Sequence, residues 1–388
     1  MHVLVLASSY PSSIRPHTGI FFQEQAEALH RAGHQLGVIV LPRIRETLDA
    51  WRTERAQPPA FTREDRAFPV YRMHRGWFPR AFPYVCAWLT RRCGLPAYGA
   101  YCEAYGRPDV IHAHNIFYAG YLASVIRQLH GVPAVLTEHS SNHLNGRMFL
   151  PAQRSLIRRT LGGLDVALAV GGRLRQALSL YGHPIGPISN LVNTAFFHDA
   201  PMPPMNPFIF AAVGSLVAVK NFPLLLRAFH QAFAGQNVLL RIGGDGPQRR
   251  ALERLIAELG LSRQVSLLGR LSRTQVRELF QQSHCVVSSS HIETFGVTLI
   301  EALACGRPVI ATRSGGPQDF VEAEDGLLVL LNDAQALAAA LRYMVNHHAD
   351  YDPTLIRQRC EQRFSEQAVV GQLLAYYEKA IARSRSEL

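Results

Sequence analysis

Short apolar runs alternate with helix-like patterns along the chain, and this alternation constrains the fold more than any other feature. Apolar runs too short for helices and lacking polar alternation indicate parallel strands buried on both faces. The chain is therefore predicted to be an α/β protein made of βα units. A helix is predicted from about residue 19 to 32, and residues 42–70 receive no assignment. The strands predicted for a first sheet are Val3–Ala7, Leu36–Leu41, Val110–Ala113, Ala134–Thr137 and Val166–Val170.

A proline-rich segment separates two such halves. Four prolines occur between residues 199 and 207, a density that neither a helix nor a central strand accepts. We expect two Rossmann-like domains, 1–198 and 208–364, with a linker at 199–207 and a cleft between them that binds ligands at the carboxyl ends of the strands. A last helix within 365–388 is predicted to pack back on the first domain. The strands predicted for the second sheet are Phe208–Val213, Val238–Ile242, Val265–Leu268, Cys285–Ser288 and Val309–Ala311.

Charge and composition narrow the function classes. The 388 residues carry a formal net charge of +11, which indicates a phosphate-bearing partner or an anionic membrane surface. Only Lys220 and Lys379 are lysines, so Lys220 marks a place where a compact ammonium is wanted. The six cysteines lack zinc spacing and indicate a reducing compartment, and no apolar stretch spans a membrane. Because the N-terminus is interpreted as a first strand and not a signal peptide, we expect a cytoplasmic protein.

The strongest chemical signal is a pair of glutamates eight residues apart. Glu293 precedes a predicted helix and Glu301 lies in its second turn. The N–H groups at Phe295–Thr298, with the positive end of the helix, form a site suited to a pyrophosphate. Each carboxylate can accept hydrogen bonds from vicinal hydroxyls, so one glutamate could hold a sugar and the other a ribose. The alternative is that both are ordinary surface charges of a helix.

Several further motifs occur around this pair in a fixed order. In the second half they are Gly214-Ser215-Leu216 with Lys220-Asn221-Phe222, Gly243-Gly244-Asp245-Gly246-Pro247, Leu268-Gly269-Arg270, Ser290-His291-Ile292-Glu293-Thr294-Phe295-Gly296, and Gly306-Arg307-Pro308-Val309-Ile310-Ala311-Thr312 with Gly315-Gly316. In the first half they are His17-Thr18-Gly19-Ile20, His112-Ala113-His114, Thr137-Glu138-His139 and Ser189-Asn190-Leu191-Val192-Asn193. With these motifs the chain resembles the retaining GT-B glycosyltransferases of family 4, also called group 1.

The resemblance implies a role for each matching residue. Glu293 would contact the donor sugar, Glu301 the ribose, and Lys220 would neutralise the departing diphosphate. His139 would lie near the anomeric centre. By the same resemblance, the catalytic residues would be His139, Glu293 and Lys220. The implied donor-binding residues are Gly19, Ser215, Lys220, Gly244, Glu293, Phe295, Gly296, Val297, Thr298 and Glu301.

Two positions depart from the family pattern. Ser215 stands where many members carry an arginine, so either one phosphate-binding cation is missing or a nearby arginine such as Arg313 replaces it. Gln318, followed by Asp319, stands where members often carry glutamate. Both departures affect details of donor contact and leave the class unchanged.

The implied reaction is transfer of a hexose-type sugar from a nucleoside diphosphate with retention of anomeric configuration. We expect front-face departure, in which the leaving phosphate accepts the acceptor's proton, because no residue stands out as a covalent nucleophile. The chain has no Asp-x-Asp triplet suited to a metal–diphosphate complex, so together with the resemblance it predicts a metal-independent enzyme without a cofactor. The base, the sugar and the acceptor stay open.

Acceptor recognition is assigned to the first domain, where residues 71–107 combine six arginines and nine aromatic residues with one acid, Glu103. This mixture is typical of an anionic membrane surface or a lipid-diphosphate acceptor, as in surface polysaccharide synthesis in bacteria, on the inner face of the membrane. The alternative is that these aromatics fill the first domain's core. A single-stranded nucleic-acid site fits nothing else in the chain.

Other functions on this scaffold remain to be weighed. A transferase for a small soluble acceptor and a nucleotide-sugar epimerase would bind the donor in the same way. An oxidoreductase would need a G-x-G-x-x-G turn after the first strand, where Ala7-Ser8-Ser9-Tyr10-Pro11 stands instead. A non-catalytic sensor is disfavoured because Glu293, Glu301 and Lys220 are all present.

Overall fold

The computed structural model describes residues 1–12, 18–42, 61–74, 82–144 and 149–386. The chain divides into two compact units, one made of Met1–Leu191 with Val369–Leu388 and the other of Val192–Ala368. The predicted linker, 199–207, falls within the second unit. Each unit is an α/β body around a sheet that is wholly or mainly parallel, which is the predicted fold class.

The described strands of the first unit form one sheet. Its strands are β1 His2–Ala7, β2 Gln35–Val40, β3 Phe61–Asp65, β4 Pro69–Met73, β5 Val110–His114, β6 Ala134–Glu138, β7 Val166–Ala169 and β8 Gly186–Pro187. They lie in the order β3-β4-β2-β1-β5-β6-β7-β8, and every pair is parallel except β3 with β4. The central strands β1, β5 and β6 are buried along their whole length, as their mainly apolar runs predict.

Helices cover this sheet. They are α1 Ile20–Arg31, α2 Pro83–Tyr105, α3 Tyr121–His130, α4 Pro151–Gly162 and α5 Gly172–Ser179, with short turns at Ile116–Gly120 and Ser141–His143. Helix α2 packs where β2 has no side chain, because a Cβ on Gly37 would lie 2.1 Å from the ring of Tyr101. The Tyr101 hydroxyl also lies 2.6 Å from Nε2 of His2, which fixes the helix against β1.

The second unit repeats the architecture. Its strands are β9 Phe208–Val213, β10 Val238–Gly243, β11 Val265–Gly269, β12 Cys285–Ser288, β13 Val309–Thr312 and β14 Gly326–Val329. They lie in the parallel order β11-β10-β9-β12-β13-β14. Its helices are α6 Phe222–Phe233, α7 Arg249–Glu258, α8 Arg273–Gln281, α9 Val297–Ala304, α10 Ala334–Asn346 and α11 Pro353–Phe364, with short turns at Ala218–Lys220, Gly316–Asp319 and His348–Asp350.

In both sheets the chain starts in the middle and grows first to one side and then to the other. The reversal lies between β1 and β5 in the first unit and between β9 and β12 in the second. At such a point the connections leave in opposite directions, which opens a crevice at the carboxyl ends of the two strands. These are the places where a ligand site is expected.

The final helix, α12 Glu366–Ser386, belongs from Val369 onward to the first unit. The Tyr377 hydroxyl lies 2.8 Å from Nδ1 of His112, and Arg383 donates to the carbonyl of Asp165 at 3.1 Å. Burial raises the pKa of Tyr377 far above its usual value, so the hydroxyl keeps its proton and can donate it to His112. These contacts join the two ends of the chain within one unit.

The segment that precedes β9 is held to the second unit by arginines. Arg307, fully buried, donates to the carbonyl of Ala200 at 3.0 Å and to that of Gln281 at 2.8 Å. Arg357 donates to the carbonyls of Thr194 and Phe197, each at 3.0 Å. The extended backbone before β9, which cannot form a ladder through its prolines, thus finds donors in side chains.

Two further observations concern the whole described chain. None of the six cysteines takes part in a disulfide bond. Within the described ranges, no helix combines the length and the hydropathy that crossing a bilayer requires.

Candidate functional site

Loops of the second unit meet at the carboxyl ends of β9, β10, β12 and β13. The loop after β12 is tied to the loop after β9 by Ser289, whose hydroxyl donates to the carbonyls of Lys220 and Asn221 at 3.0 and 3.1 Å. It is tied to the loop after β13 by Glu293, whose N–H donates to the carbonyl of Ser314 at 3.1 Å. This cluster of loops lies at the strand pair where the sheet order reverses.

An ion pair lies within this cluster. Nζ of Lys220 is 2.5 Å from Oε2 of Glu293, and the two side chains are 28% and 16% exposed. Lys220, the cation predicted to bind the diphosphate, and Glu293, the carboxylate predicted to bind the sugar, are therefore direct partners. Because both side chains keep some exposure, a ligand can reach either charge and compete for the other's partner.

Glycines let the loops after β9 and β10 approach closely. Gly244 has φ 140°, and a Cβ there would lie 1.9 Å from the carbonyl oxygen of Gly214. A Cβ on Gly246 would lie 2.6 Å from the carbonyl oxygen of Leu216. Backbone atoms cannot move aside as a flexible side chain does, so glycine is required for this packing. Ser215, the departure from the family pattern, lies in the same loop with its side chain exposed.

Helix α9 begins directly after the loop that carries Glu293. Gly296 precedes it with φ 112°, a conformation that favours glycine. Phe295 is buried and stacks on Phe320 with ring centroids 5.1 Å apart, which anchors the start of the helix. The N–H groups of Val297 and Thr298 belong to the first turn, where no intrahelical acceptor exists. The helix therefore presents the polar N-terminus that the sequence predicted, beside the ion pair.

Glu301 lies in the second turn of α9 and is half-buried. Burial raises the pKa of its carboxyl to about 7, against the opposing charge of Arg273. A hydroxyl that donates a hydrogen bond to the Glu301 carboxylate would replace its lost hydration and favour its ionised form. Arg313, the candidate replacement for the missing family arginine, follows β13 with an exposed side chain. β13 is separated from β9, which precedes Ser215, by β12.

The corresponding loops of the first unit surround His139. Gly19 has φ 75°, and a Cβ there would lie 2.6 Å from the carbonyl oxygen of Ser9, so the loop before α1 can close only with glycine. Helix α1 then directs two rings at the histidine. Phe21 and Phe22 have centroids 5.1 and 5.0 Å from that of His139. The structure thus places Gly19, predicted to bind the donor, and His139, predicted to be catalytic, in one neighbourhood.

The imidazole of His139 is fixed by polar neighbours. Its Nε2 lies 3.1 Å from Nδ1 of His114, and the backbone N–H of His139 donates to the amide oxygen of Asn115 at 3.1 Å. Burial lowers the pKa of His139 to about 4, against the opposing effects of Glu138 and Asn190. Burial also holds the pKa of His114 well below its usual value. At neutral pH both rings are uncharged, so His139 can exchange hydrogen bonds with a sugar hydroxyl without adding charge.

His112 and His114, which are neighbours on β5, have different contacts. His112 is fully buried, with Nε2 2.8 Å from the Thr137 hydroxyl and Nδ1 2.8 Å from that of Tyr377. It is a packing residue. His114 instead contacts His139. The two histidines lie two residues apart on β5 and therefore on the same face of the sheet. Only their contacts with the neighbouring strand β6 and the residue after it distinguish them.

Two family models together match nearly the whole chain. The model described as Glycosyltransferase Family 4 matches residues 18–196, and the model described as Glycosyl transferases group 1 matches residues 194–361. The chain belongs to glycosyltransferase family 4. It is a glycosyltransferase of the GT-B type, related to the transferases of lipopolysaccharide and polysaccharide biosynthesis.

Individual relatives of this family 4 enzyme cover different shares of it. The D-inositol 3-phosphate glycosyltransferase 1 of Catenulispora acidiphila is 27% identical over 82% of this chain and 81% of that protein. The lipopolysaccharide core biosynthesis glycosyltransferase LpsD of Rhizobium meliloti is 32% identical over 46% of this chain and 52% of that protein. The crystal structure of HepE from Anabaena in complex with UDP has a TM-score of 0.72 at 19% identity, covering 100% of both chains, and shows the shared fold.

The sequence did not reveal one polar residue of this glycosyltransferase. Asn115 directly follows β5, with φ 72°, and its amide donates to the Ser8 hydroxyl at 2.6 Å. With its contact to His139, it links the loops after β1, β5 and β6. Its signal was an asparagine directly after a buried strand, because asparagine tolerates positive φ better than most residues.

Proposed function

We propose that this family 4 enzyme transfers a hexose-type sugar from a nucleoside diphosphate to an acceptor hydroxyl with retention of anomeric configuration. The observation that carries the proposal is the Lys220–Glu293 pair beside the N-terminus of α9. It combines a cation and helix N–H groups for a diphosphate with a carboxylate for sugar hydroxyls. A nucleoside diphosphate sugar has these two chemistries side by side.

The residues divide the work of the reaction. As the bond from the anomeric carbon to the diphosphate oxygen breaks, the ammonium of Lys220 and the first turn of α9 stabilise the charge that develops. The acceptor oxygen then bonds to the same face of that carbon, and its proton goes to the departing phosphate oxygen. Glu293 would hold the sugar hydroxyls, Glu301 the ribose, and His139 a hydroxyl near the anomeric centre. Retention follows because attack and departure share one face.

We further propose that the reaction needs neither a divalent metal nor a cofactor. Among the described residues, no group of three or more His, Cys, Asp or Glu side chains is arranged to hold a metal ion. The ammonium of Lys220 offers a positive charge for the diphosphate in the place where other transferases use a metal ion. EDTA is therefore expected to leave donor binding and turnover unchanged.

The acceptor we propose is a lipid-linked oligosaccharide of surface polysaccharide synthesis, used by an enzyme bound to the inner face of a bacterial membrane. Support comes from the name of the Rhizobium relative, a lipopolysaccharide core transferase, and from the basic and aromatic first unit. A small soluble acceptor is the second candidate, favoured by the D-inositol 3-phosphate transferase relative. Assays with a lipid-linked and a water-soluble acceptor separate the two.

The proposal is tested first by binding and then by products. We expect one of UDP, GDP and ADP to raise the melting temperature, both with and without EDTA. At 100 times its dissociation constant, such a nucleotide adds about 2.7 kcal/mol to the free energy of unfolding. Incubation of the matching nucleotide sugar with acceptor should give a product whose anomeric configuration, read by NMR, is that of the donor. Sugar conversion without any acceptor would identify an epimerase. Failure of all three nucleotides to bind would refute the transferase proposal.

A further inference from the structure

The aromatic residues that follow Tyr71 in the sequence divide into two sets in the structure. Tyr98 and Tyr101, in the second half of α2, are buried in the core of the first unit. At the start of α2 the opposite holds, because Phe82 is 56%, Tyr84 45% and Trp88 55% exposed. The alternative interpretation, that these aromatics fill a core, therefore holds for Tyr98 and Tyr101 and does not hold for Phe82, Tyr84 and Trp88. Trp77 and Phe78 lie outside the described residues.

The exposed aromatics share their face with arginines. Arg91 and Arg92 follow Trp88 at one helical turn and are both exposed, while Cys86, Ala87 and Thr90 face the interior. The guanidinium of Arg92 lies over the Trp88 ring at 5.4 Å from its centroid. A cation stacked on an exposed indole keeps its charge while covering part of the apolar surface.

A second helix extends this face. Helix α4 packs beside α2, where the Tyr84 hydroxyl donates to the Ser155 hydroxyl at 2.9 Å. Leu150, just before α4, is 50% exposed. The exposed arginines of α4 are Arg154, Arg158 and Arg159. We call the exposed side chains of α2 and α4 the α2/α4 face; its members are Phe82, Tyr84, Val85, Trp88, Arg91, Arg92, Leu150, Arg154, Arg158 and Arg159.

Acidic side chains are absent from the sequence around this face. No aspartate or glutamate occurs between residues 82 and 102, or between residues 139 and 164. Five arginines are thus concentrated on two adjacent helices whose one acid, Glu103, lies eleven residues after Arg92 near the end of α2. Within residues 82–102 and 149–162, the α2/α4 face therefore carries five arginines and no acidic side chain.

We propose that the α2/α4 face binds the surface of an anionic lipid bilayer. Aromatic rings with a polar edge favour the boundary between headgroups and acyl chains, where tryptophan and tyrosine are enriched. Arginines beside them attract acidic headgroups, at about 1 kcal/mol each near the surface. The inference rests on the proposed lipid-linked acceptor, since such an acceptor is held in that bilayer, and it assigns the membrane contact to particular residues.

Co-sedimentation of the full chain with vesicles tests the charge. Vesicles of phosphatidylcholine are compared with vesicles of phosphatidylcholine and phosphatidylglycerol, at low and at high salt. The variant Arg91→Gln/Arg92→Gln is expected to bind the anionic vesicles about 30-fold more weakly than the wild type, which corresponds to ~2 kcal/mol. The matched variant Arg254→Gln/Arg263→Gln removes the same charge from exposed positions of the second unit, and its partitioning is expected to stay within about 2-fold of the wild type.

A second variant tests the aromatic contribution independently of charge. Trp88→Ala removes the one tryptophan among the described residues, and Leu355→Ala, at a residue 55% exposed in the second unit, is its matched control. Trp88→Ala is expected to weaken binding to anionic vesicles roughly 10-fold, because an interfacial aromatic contributes on the order of 1–2 kcal/mol. Leu355→Ala is expected to change nothing.

The outcomes separate this inference from the proposed function. The inference is overturned if the wild type ignores anionic vesicles, if it binds neutral vesicles equally well, or if both double variants lose binding alike. Stabilisation by a nucleoside diphosphate is measured on the same preparations. Nucleotide binding without vesicle binding would leave the transferase proposal standing and remove the membrane face. Vesicle binding without nucleotide binding would leave the membrane face standing and remove the transferase proposal.

Discussion

The Lys220–Glu293 ion pair leads to a prediction in which two substitutions have opposite effects on one ligand. Lys220→Ala removes the cation proposed to bind the diphosphate. Glu293→Gln removes the carboxylate that lies 2.5 Å from that cation and competes with the diphosphate for it. We therefore expect Lys220→Ala to weaken binding of the free nucleoside diphosphate and Glu293→Gln to strengthen it. Turnover of the nucleotide sugar should fall in both variants.

The magnitudes follow from the geometry and the exposure. Two charges 2.5 Å apart attract by about 7 kcal/mol at an effective dielectric constant of 20, before desolvation is subtracted. Because the side chains are 28% and 16% exposed, solvent screens part of this, and a charge-assisted hydrogen bond of about 1.5–3 kcal/mol is the realistic net value. Losing such a bond to the diphosphate in Lys220→Ala weakens binding by about 10- to 150-fold. Removing the competitor in Glu293→Gln strengthens binding by up to ~10-fold.

Isothermal titration with the free nucleoside diphosphate measures these changes, and single-turnover kinetics with the nucleotide sugar measures the chemistry. Glu258→Gln, at an exposed position of α7, is the control for loss of one acidic charge from the second unit. It should leave both quantities unchanged. If Glu293→Gln weakens nucleotide binding as Lys220→Ala does, Glu293 does not compete for the ammonium and the reasoning is wrong.

The remaining predictions concern stability and positioning. Gly244→Ala places a Cβ 1.9 Å from a backbone oxygen and should lower the free energy of unfolding, measured in urea, by more than about 3 kcal/mol. Gly371→Ala, with open space at its Cβ, should raise that free energy by about 0.5–1 kcal/mol. The folded state raises the pKa of Glu301 to about 7 and so binds its proton more tightly than the unfolded state. Stability should therefore fall by on the order of 2–3 kcal/mol as pH rises from about 4.5 to 7, and the difference between wild type and Glu301→Gln should show this slope. His114→Ala frees the ring of His139 and should lower kcat about 10- to 100-fold while nucleotide affinity stays constant; a loss of nucleotide affinity instead would contradict a positioning role.

The central strands of both sheets could be predicted because burial on both faces requires continuous apolar runs. Of the strands that the sequence did not indicate, β3, β8 and β14 lie at sheet edges and lack that requirement, whereas β4 lies between β2 and β3. β3 reads Phe-Thr-Arg-Glu-Asp, and its charges are satisfied on the surface, where Arg63 pairs with Asp65 at 2.8 Å. β8 has two residues, one of them Pro187, which donates no ladder hydrogen bond. β14 was not predicted from the sequence; it lies at the edge of its sheet and pairs only with β13.

The motifs indicated candidate site residues, but they did not indicate which of those residues contact each other. Lys220 and Glu293 are 73 positions apart, and they meet because β9 and β12 are neighbours although two strands separate them in the chain. His114 and His139 meet in the same way through β5 and β6. Strand order is a property of the whole sheet, and no local pattern of residues encodes it.

The two units use the same position in their sheets for different electrostatic tasks. At the reversal in the second unit, Lys220 and Glu293 carry charge and keep contact with solvent. At the reversal in the first unit, burial lowers the pKa of His112 to about 3 and that of His139 to about 4, so these rings are neutral at physiological pH. A neutral imidazole at His139 can exchange hydrogen bonds with a hydroxyl without adding charge. Protonation of His139 should therefore impair turnover only near pH 4, and an activity limb near pH 6.5 that disappears in His139→Gln would show that its ring is not kept neutral by burial.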